Sequence, residues 1–460
     1  MKTTTLKIRL QNLSPAATLV SFYATAILIA TALLMTPWAA QGASIGFIDA
    51  LFTTTSAMCV TGLTVVDTGS VFSLFGQLVI LATIQLGGLG ITTFSVYLFY
   101  FVRTGVGLRD RWVIQETMIH TPVRSLNELV RDIIHVTFYI EALGAVLLAL
   151  VFIPQFGWLR GSYYAIFHAI SAFCNAGFAL FSDNLIGYRD SPIVNLTIMV
   201  LIILGGIGFL VMRELHDIWQ RRRRRLRWRL SVHSKLVLLT SSALIIVGWV
   251  AILALELGSS TFRSVSLGEA LWVTLFQSVT TRTAGFNTID LNAFGVPTIF
   301  LMIVLMFIGA SPGSTGGGIK TTSLALFLAI LYSRLKGYKV TSVFKRTIPD
   351  ETVTRTLTVF MLAALWIVAM TFLVLEVELR GLSTTESRGA LLNYLFEVVS
   401  AFGTVGLSLG VTAQLTMAGK LLITILMFVG RVGLLTFTFF IIKQAGHEGT
   451  VYAEENIMIG

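Results

Sequence analysis

Four stretches decide how this chain is built: FTTTSAMCVTGLT (52–64), FHAISAFCNAGFA (167–179), LFQSVTTRTAGFN (275–287) and FEVVSAFGTVGLS (396–408). Each is a half-apolar segment running into a glycine, and Gly62, Gly177, Gly285 and Gly406 are separated by 115, 108 and 121 residues. One unit has been copied four times. Outward from each stretch lie longer apolar runs, so every copy reads as span, short helix, glycine loop, span.

Those runs set the environment. With 55% hydrophobic and 12% charged residues, the chain is too apolar for a soluble domain. A membrane-crossing helix takes roughly 20 apolar residues, and eight stretches qualify: 16–38, 72–102, 128–153, 192–212, 235–257, 296–333, 355–379 and 418–442. The first follows Lys2, Lys7 and Arg9, but its apolar run is too long for a signal peptide and lacks a clean cleavage site, so it counts as a span. An internal N-terminus puts 24 of the 33 Lys and Arg on cytoplasmic segments and only seven outside, which orients both termini inward. The divisions expected are a cytoplasmic N-terminus (1–15), pore repeats at 16–110, 111–230, 231–350 and 351–442, and a cytoplasmic tail (443–460).

All four glycine stretches then face outside. Asp49–Met58, Tyr164–Phe173, Leu267–Thr281 and Gly389–Phe402 are too short to cross the bilayer and read as re-entrant helices, because irregular backbone at membrane depth persists only beside a water-filled cavity. Two spans per copy return the chain to the same side, so the copies share one orientation and can surround a pseudo-fourfold axis; inverted-repeat carriers need an odd number. The predicted architecture is an all-α polytopic membrane protein of eight transmembrane helices with a central pore.

Such a pore needs backbone more than side chains. Rings of carbonyl oxygens replace the water shell of a monovalent cation, and glycine takes the positive φ that aims them. The expected filter is Val60, Thr61 and Gly62, with Asn175, Ala176 and Gly177, Thr283, Ala284 and Gly285, and Thr404, Val405 and Gly406. The short helices would turn their partially negative C-terminal ends inward, favouring cations.

The loop set TGL at 61, NAGF at 175, RTAGF at 282 and TVGL at 404 resembles the Trk/Ktr/HKT superfamily of potassium uptake proteins over nearly the whole chain. The eight spans and the ending EENIMIG are most similar to the pore subunits of bacterial Ktr systems. The resemblance implies a bacterial inner-membrane protein with K+ as the transported ion, working as a homodimer on a cytosolic KtrA-like nucleotide-binding ring. No organic cofactor is expected in this chain, which has no soluble domain to hold a nucleotide; any regulatory nucleotide belongs to the partner. The second glycine of the potassium-channel sequence TVGYG is missing from all four copies, which implies fewer ordered ion sites.

The sixth span is broken by GASPGSTGGGIKTTS (309–323), whose glycines and proline remove helix propensity by several kcal/mol at about 1 for each Gly and 3 for the Pro. A phosphate-loop reading fails, since Ile319 stands where the lysine should be and no strand precedes it. By resemblance this is an intramembrane loop beneath the filter that controls passage. Gly309, Ser311, Pro312, Gly313, Ser314, Thr315, Gly316, Gly317, Gly318 and Lys320 are its candidate gating residues. Only the third copy is expected to have its inner span broken. Arg431, inside the last span, is expensive there and functional by default; it is expected to act as an electrostatic barrier and as a tether for the closed loop. Arg282, near the end of the third short helix, reads as a clamp for the filter.

The net charge of +10 does not point to nucleic acid: the run Arg221–Arg225 with Arg227 and Arg229 lies between two spans as a positive-inside anchor, with anionic lipid or an acidic cytosolic partner as the functional reading. Cys59 and Cys174 share one repeat position and are expected as free thiols. No HExxH, metal-spaced cluster or nucleophile motif supports an enzyme. The function expected is potassium uptake through a selective, gated, passive pore. The alternative is a sodium- or proton-coupled carrier, for which no acidic relay is visible in the spans.

Overall fold

The computed structural model describes residues 15–101, 126–259, 262, 265–381, 383–434 and 437. The N-terminal residues 1–14, the basic stretch 102–125 and the tail 443–460 lie outside the described residues. Among the described residues helix is the dominant regular structure, and each of four units has a peripheral helix, a short helix and an inner helix. The first contains α1 (Pro15–Leu34), α2 (Phe47–Met58) and α3 (Leu74–Phe101). The second contains α4 (Leu126–Phe156), α5 (Trp158–Phe173), α6 (Pro192–Ile207) and α7 (Phe209–Arg223). The third contains α8 (Val232–Glu256), α9 (Leu267–Thr280), α10 (Val296–Phe307) and α11 (Thr321–Leu335), followed by a small hairpin of β1 (Ser342–Val343) and β2 (Arg346–Thr347). The fourth contains α12 (Asp350–Glu378), α13 (Thr384–Gly403) and α14 (Met417–Val432).

Local signals start these helices where they are observed. Ser231, Ser266 and Thr416 cap α8, α9 and α14 by accepting the backbone N–H of Ser234, Glu269 and Gly419. Pro192 and Pro297 occupy first-turn positions of α6 and α10, where their missing N–H costs nothing.

The apolar surface identifies the surroundings. The helices containing Ala17–Leu34, Arg131–Phe156, Val232–Glu256 and Asp350–Glu378 are each long and apolar enough to cross a membrane. They turn large apolar side chains outward, including Val146 and Leu150 on α4, Val247 and Val250 on α8, and Leu365 and Phe372 on α12. Only hydrocarbon makes that arrangement favourable. The molecule is an all-α polytopic membrane protein.

The units close on themselves. Inner helix α3 packs on α5 of the second unit, α6 on α9 of the third, α10 on α13 of the fourth, and α14 returns to α2 of the first. Lys420 Nζ of α14 lies 2.7 Å from Asp49 Oδ1 of α2, joining the last unit to the first. Glycines let the inner helices approach the ends of the short ones: a Cβ on Gly87, Gly205 or Gly430 would strike the carbonyl oxygen of Met58, Phe173 or Phe402.

One expectation is corrected. The third inner span is not alone in being broken: the run read as a single span over 192–212 bends by 99° between α6 and α7. The hinge is Gly208, at φ +97°, where a Cβ would meet Pro312 O. The Phe209 N–H donates 3.0 Å to Gly313 O. Gly205, Gly206 and Gly208 weaken the helix here, and the chain turns where a backbone acceptor from the third unit receives the Phe209 N–H.

Candidate functional site

The four glycine loops share one backbone. Val60, Asn175, Thr283 and Thr404 have φ of +56°, +60°, +66° and +51°, and two residues later Gly62, Gly177, Gly285 and Gly406 have +97°, +69°, +76° and +88°. In three loops the first of these residues closes its helix as a Schellman motif. Val60 N–H reaches Ala57 O (3.1 Å) while Thr61 N–H reaches Ser56 O (2.8 Å). The same pair of bonds recurs from Asn175 and Ala176 to Ala172 and Ser171, and from Thr404 and Val405 to Ala401 and Ser400. The third loop differs, Ala284 N–H donating to Thr280 O at 3.0 Å.

This conformation normally takes glycine, and a left-handed residue with a Cβ costs about 1–2 kcal/mol. Val60, Thr283 and Thr404 are β-branched, so strain is concentrated in these loops and held by their surroundings. Hydroxyls of the short helices supply part of that hold. Ser56 Oγ and Ser400 Oγ accept the N–H of Gly62 and Gly406 at 3.0 and 3.1 Å. Ser171 and Thr280 donate to the carbonyls of Phe178 and Phe286 at 2.7 and 2.6 Å.

The glycines meet in a ring, in chain order. A Cβ on Gly62 would lie 2.5 Å from Ala176 O and 2.9 Å from Gly177 Cα. On Gly177 it would lie 2.9 Å from both Ala284 O and Gly285 Cα, and on Gly285 2.7 Å from Val405 O. On Gly406 it would strike Thr61 O and come 2.9 Å from Gly62 Cα, closing the circle. The ring therefore presents the carbonyl oxygens of Thr61, Ala176, Ala284 and Val405 to neighbouring glycines and leaves no room for side chains. All twelve residues expected in the filter are buried and brought together in this feature.

Directly beneath, on the side of the basic loops, lies the break between α10 and α11. It is ordered by backbone contacts within itself and to the second and fourth units. Gly309 N–H bonds Ile319 O within the loop (2.8 Å), Ser311 and Thr315 N–H reach Gly206 O and Gly205 O (3.0 and 3.1 Å), and Gly318 N–H reaches Gly430 O (3.4 Å). Gly317 N–H donates to Thr404 Oγ1 at 3.0 Å, and Gly316 abuts Thr283 Oγ1, so the loop touches the residues at which two filter loops begin. Thr315 Oγ1 donates to Phe173 O at 3.2 Å and Thr321 Oγ1 to Ser311 Oγ at 2.9 Å. Lys320 Nζ curls back onto Gly316 O at 2.8 Å. Ser314 is buried, while Pro312 and Gly313 face the Gly208 hinge.

Two guanidinium groups hold this loop. Arg431 is buried, and it donates through Nη1 to Thr315 O and through Nη2 to Gly87 O, so one side chain joins the fourth unit, the loop and the first unit. Arg282 donates to Gly309 O at 3.0 Å. The filter-clamp reading of Arg282 is thus incomplete, because its head group is bonded to the intramembrane loop.

Of two buried groups at one repeat position, only Glu397 escaped the sequence reading, in which His168 is an isolated polar contact rather than a ligand. Nine residues before the glycine, the second and fourth copies carry His168 and Glu397. His168 Nε2 accepts Leu180 N–H at 3.3 Å, with Nδ1 2.7 Å from Tyr164 O, and Glu397 accepts from Ser408 and Thr412 hydroxyls, the latter at 2.8 Å. Both brace the chain leaving the filter. Cys59 and Cys174 are buried free thiols.

The model of the TrkH family, described as cation transport protein, matches residues 2–448. The chain is 40% identical to the Ktr system potassium uptake protein B of Bacillus subtilis over 92% of either chain. It is 37% identical to the protein of the same name from Vibrio alginolyticus, over 97% of this chain and 95% of that one. It is also 37% identical to the potassium/sodium uptake protein NtpJ of Enterococcus hirae over 98% of both. In fold it is similar to the crystal structure of the potassium transporter TrkH from Vibrio parahaemolyticus, with a TM-score of 0.69, 20% identity, and coverage of 92% of this chain and 85% of that one.

Proposed function

This chain belongs to the TrkH family of cation transport proteins, and from that premise we propose that it takes up potassium through a gated, channel-like pore. It is a transporter rather than an enzyme. The observation that carries the reading is the ring in which one strained backbone recurs four times around the carbonyls of Thr61, Ala176, Ala284 and Val405. Backbone oxygens can replace the hydration shell of a monovalent cation, and the C-terminal ends of four short helices favour positive charge at the same point. The twelve ring residues are the filter. The loop from Gly309 to Lys320 is the gate, with the described arrangement as its closed state, latched by Arg431.

The relatives from Bacillus subtilis and Vibrio alginolyticus carry Ktr system names, which supports work alongside other Ktr components. On this reading the chain forms a homodimer in the bacterial inner membrane with both termini cytoplasmic, rests on a KtrA-like nucleotide-binding ring, and contacts anionic lipid at Arg221–Arg229. Coupling to sodium or protons is the alternative. Glu141 favours it, as a buried acid on α4 that accepts from Gln85 Nε2 at 3.1 Å. Potassium and sodium flux into liposomes, with and without the cytosolic subunit and across sodium and pH gradients, decides between the readings. Uptake that stops without sodium or without a proton gradient would overturn the passive pore.

A further inference from the structure

Helix α7 joins two features that the pore reading leaves separate. Its first residue, Phe209, donates 3.0 Å to Gly313 O of the intramembrane loop. Its last turn enters an exposed stretch with seven arginines, Arg221–Arg225, Arg227 and Arg229. Fifteen helical residues span about 22 Å as one rigid rod. The 99° bend at Gly208 sets this rod nearly at right angles to α6, with its first turn on the intramembrane loop and its last turn in the basic stretch.

The surface at its end has the chemistry of a membrane interface. Trp219 and Trp228 are 53% and 46% exposed and are interleaved with the arginines, and Leu226 is exposed between them. Arg223 lies 4.4 Å from the centre of the Trp219 ring. Indoles favour the headgroup level, and guanidinium groups pair bidentately with phosphate. A second basic hairpin continues the surface: Lys235 of α8 lies 5.6 Å from the Phe344 ring, beside exposed Lys345 and Arg346. The acids on α7 do not neutralise the arginine stretch. Glu214 is bound to Ser231 N–H at 2.6 Å and to the hydroxyls of Ser231 and Ser234, pinning α7 to the start of α8, and Asp217 is a single exposed carboxylate.

We propose that anionic phospholipid headgroups seat on Arg221–Arg229 between Trp219 and Trp228, and that α7 transmits this seating to the intramembrane loop. The inference rests on the loop being the gate. Its direction follows from the geometry: α7 is bonded to Gly313 at this 99° bend, so lipid that holds the rod at this angle favours the closed loop. Anionic lipid lowers flux.

The full chain is reconstituted in vesicles of phosphatidylcholine alone or of phosphatidylcholine with phosphatidylglycerol, and potassium influx is measured. The expected influx is about fivefold lower with phosphatidylglycerol, at the low end of ordinary coupling between sites, and high salt reduces the difference by screening. Converting Arg221 through Arg225 together to Gln abolishes the difference while flux in phosphatidylcholine is retained. Leu215→Gly with Ile218→Gly, which keeps every arginine but softens the rod, also abolishes it. Equal fluxes of the parent in the two vesicles overturn the proposal, as does a five-Gln variant that keeps the full difference. If that variant loses only its capture of the cytosolic subunit, the surface docks protein and the lipid assignment falls. Arg431→Ala in phosphatidylcholine tests the gate separately: increased flux there with no lipid effect in the parent removes this inference alone.

Discussion

Replacing Arg431 by alanine should unlatch the loop, and the geometry sets the size of the effect. Among the described residues Arg431 donates to two backbone carbonyls, and of these only Thr315 O belongs to the loop; Gly87 O joins α14 to α3 and is compatible with either position of the loop. A hydrogen bond from a charged donor contributes about 1.5–3 kcal/mol. At about 1.4 kcal/mol per factor of ten, its loss moves the ratio of open to closed loop by roughly 10- to 150-fold. The loop keeps its other anchors at Gly205, Gly206, Phe173 and Thr404, so the fold should survive. Potassium influx into vesicles, normalised to protein content and checked by thermal melting, should rise by about that factor until the filter itself limits passage. Arg431→Lys separates the two roles, because it retains the charge but cannot reach both carbonyls with one planar fork. A lysine variant as leaky as the alanine variant assigns the effect to the tether, and one as tight as the parent assigns it to the charge. A folded Arg431→Ala protein with unchanged influx refutes the latch.

Serine at Gly62, Gly177, Gly285 or Gly406 would place a side chain inside the ring at positive φ, costing about 1–2 kcal/mol of strain and lowering the preference for potassium over sodium by roughly tenfold. Unaltered selectivity in all four variants contradicts the filter assignment. Thr404→Val keeps the shape of the side chain but leaves Gly317 N–H without its acceptor, at a cost of about 1–3 kcal/mol to the closed loop; influx should rise with the ion preference unchanged, and a change in preference alone would mean that Thr404 serves only the filter. Asp49→Lys or Lys420→Asp alone should lower the melting temperature by breaking a half-buried pair worth about 1 kcal/mol, and the double exchange should restore it. If the exchange fails to restore stability, the pair does not close the ring.

Membrane residence, the fourfold repeat and the site of the broken span were legible because each depends on local composition. Apolar runs of membrane length need no partner to be recognised. Glycine at a fixed place in four copies marks a backbone requirement, since only the ring explains why no side chain is tolerated there. The run from Gly309 to Gly318, with five glycines and a proline, is a poor helix former wherever it sits.

Other features depend on bonds between residues from 27 to 344 positions apart in the chain. Gly208 turns the second inner span because Gly313 O lies within reach of Phe209 N–H, and nothing near position 208 signals that acceptor. Arg282 could be placed at the end of a helix but not assigned to Gly309 O. Likewise, an intramembrane Arg431 had to find a partner, and only packing determined that its partners are Thr315 O and Gly87 O. Backbone carbonyls are present at every residue, so a sequence cannot distinguish the one that will be free and aimed at a buried guanidinium. The amino-acid sequence alone determined the medium, the repeat and the positions where backbone replaces side chain. Tertiary structure decided the cyclic order of the four loops and the bonds between ring and loop, because both follow from which helix packs on which.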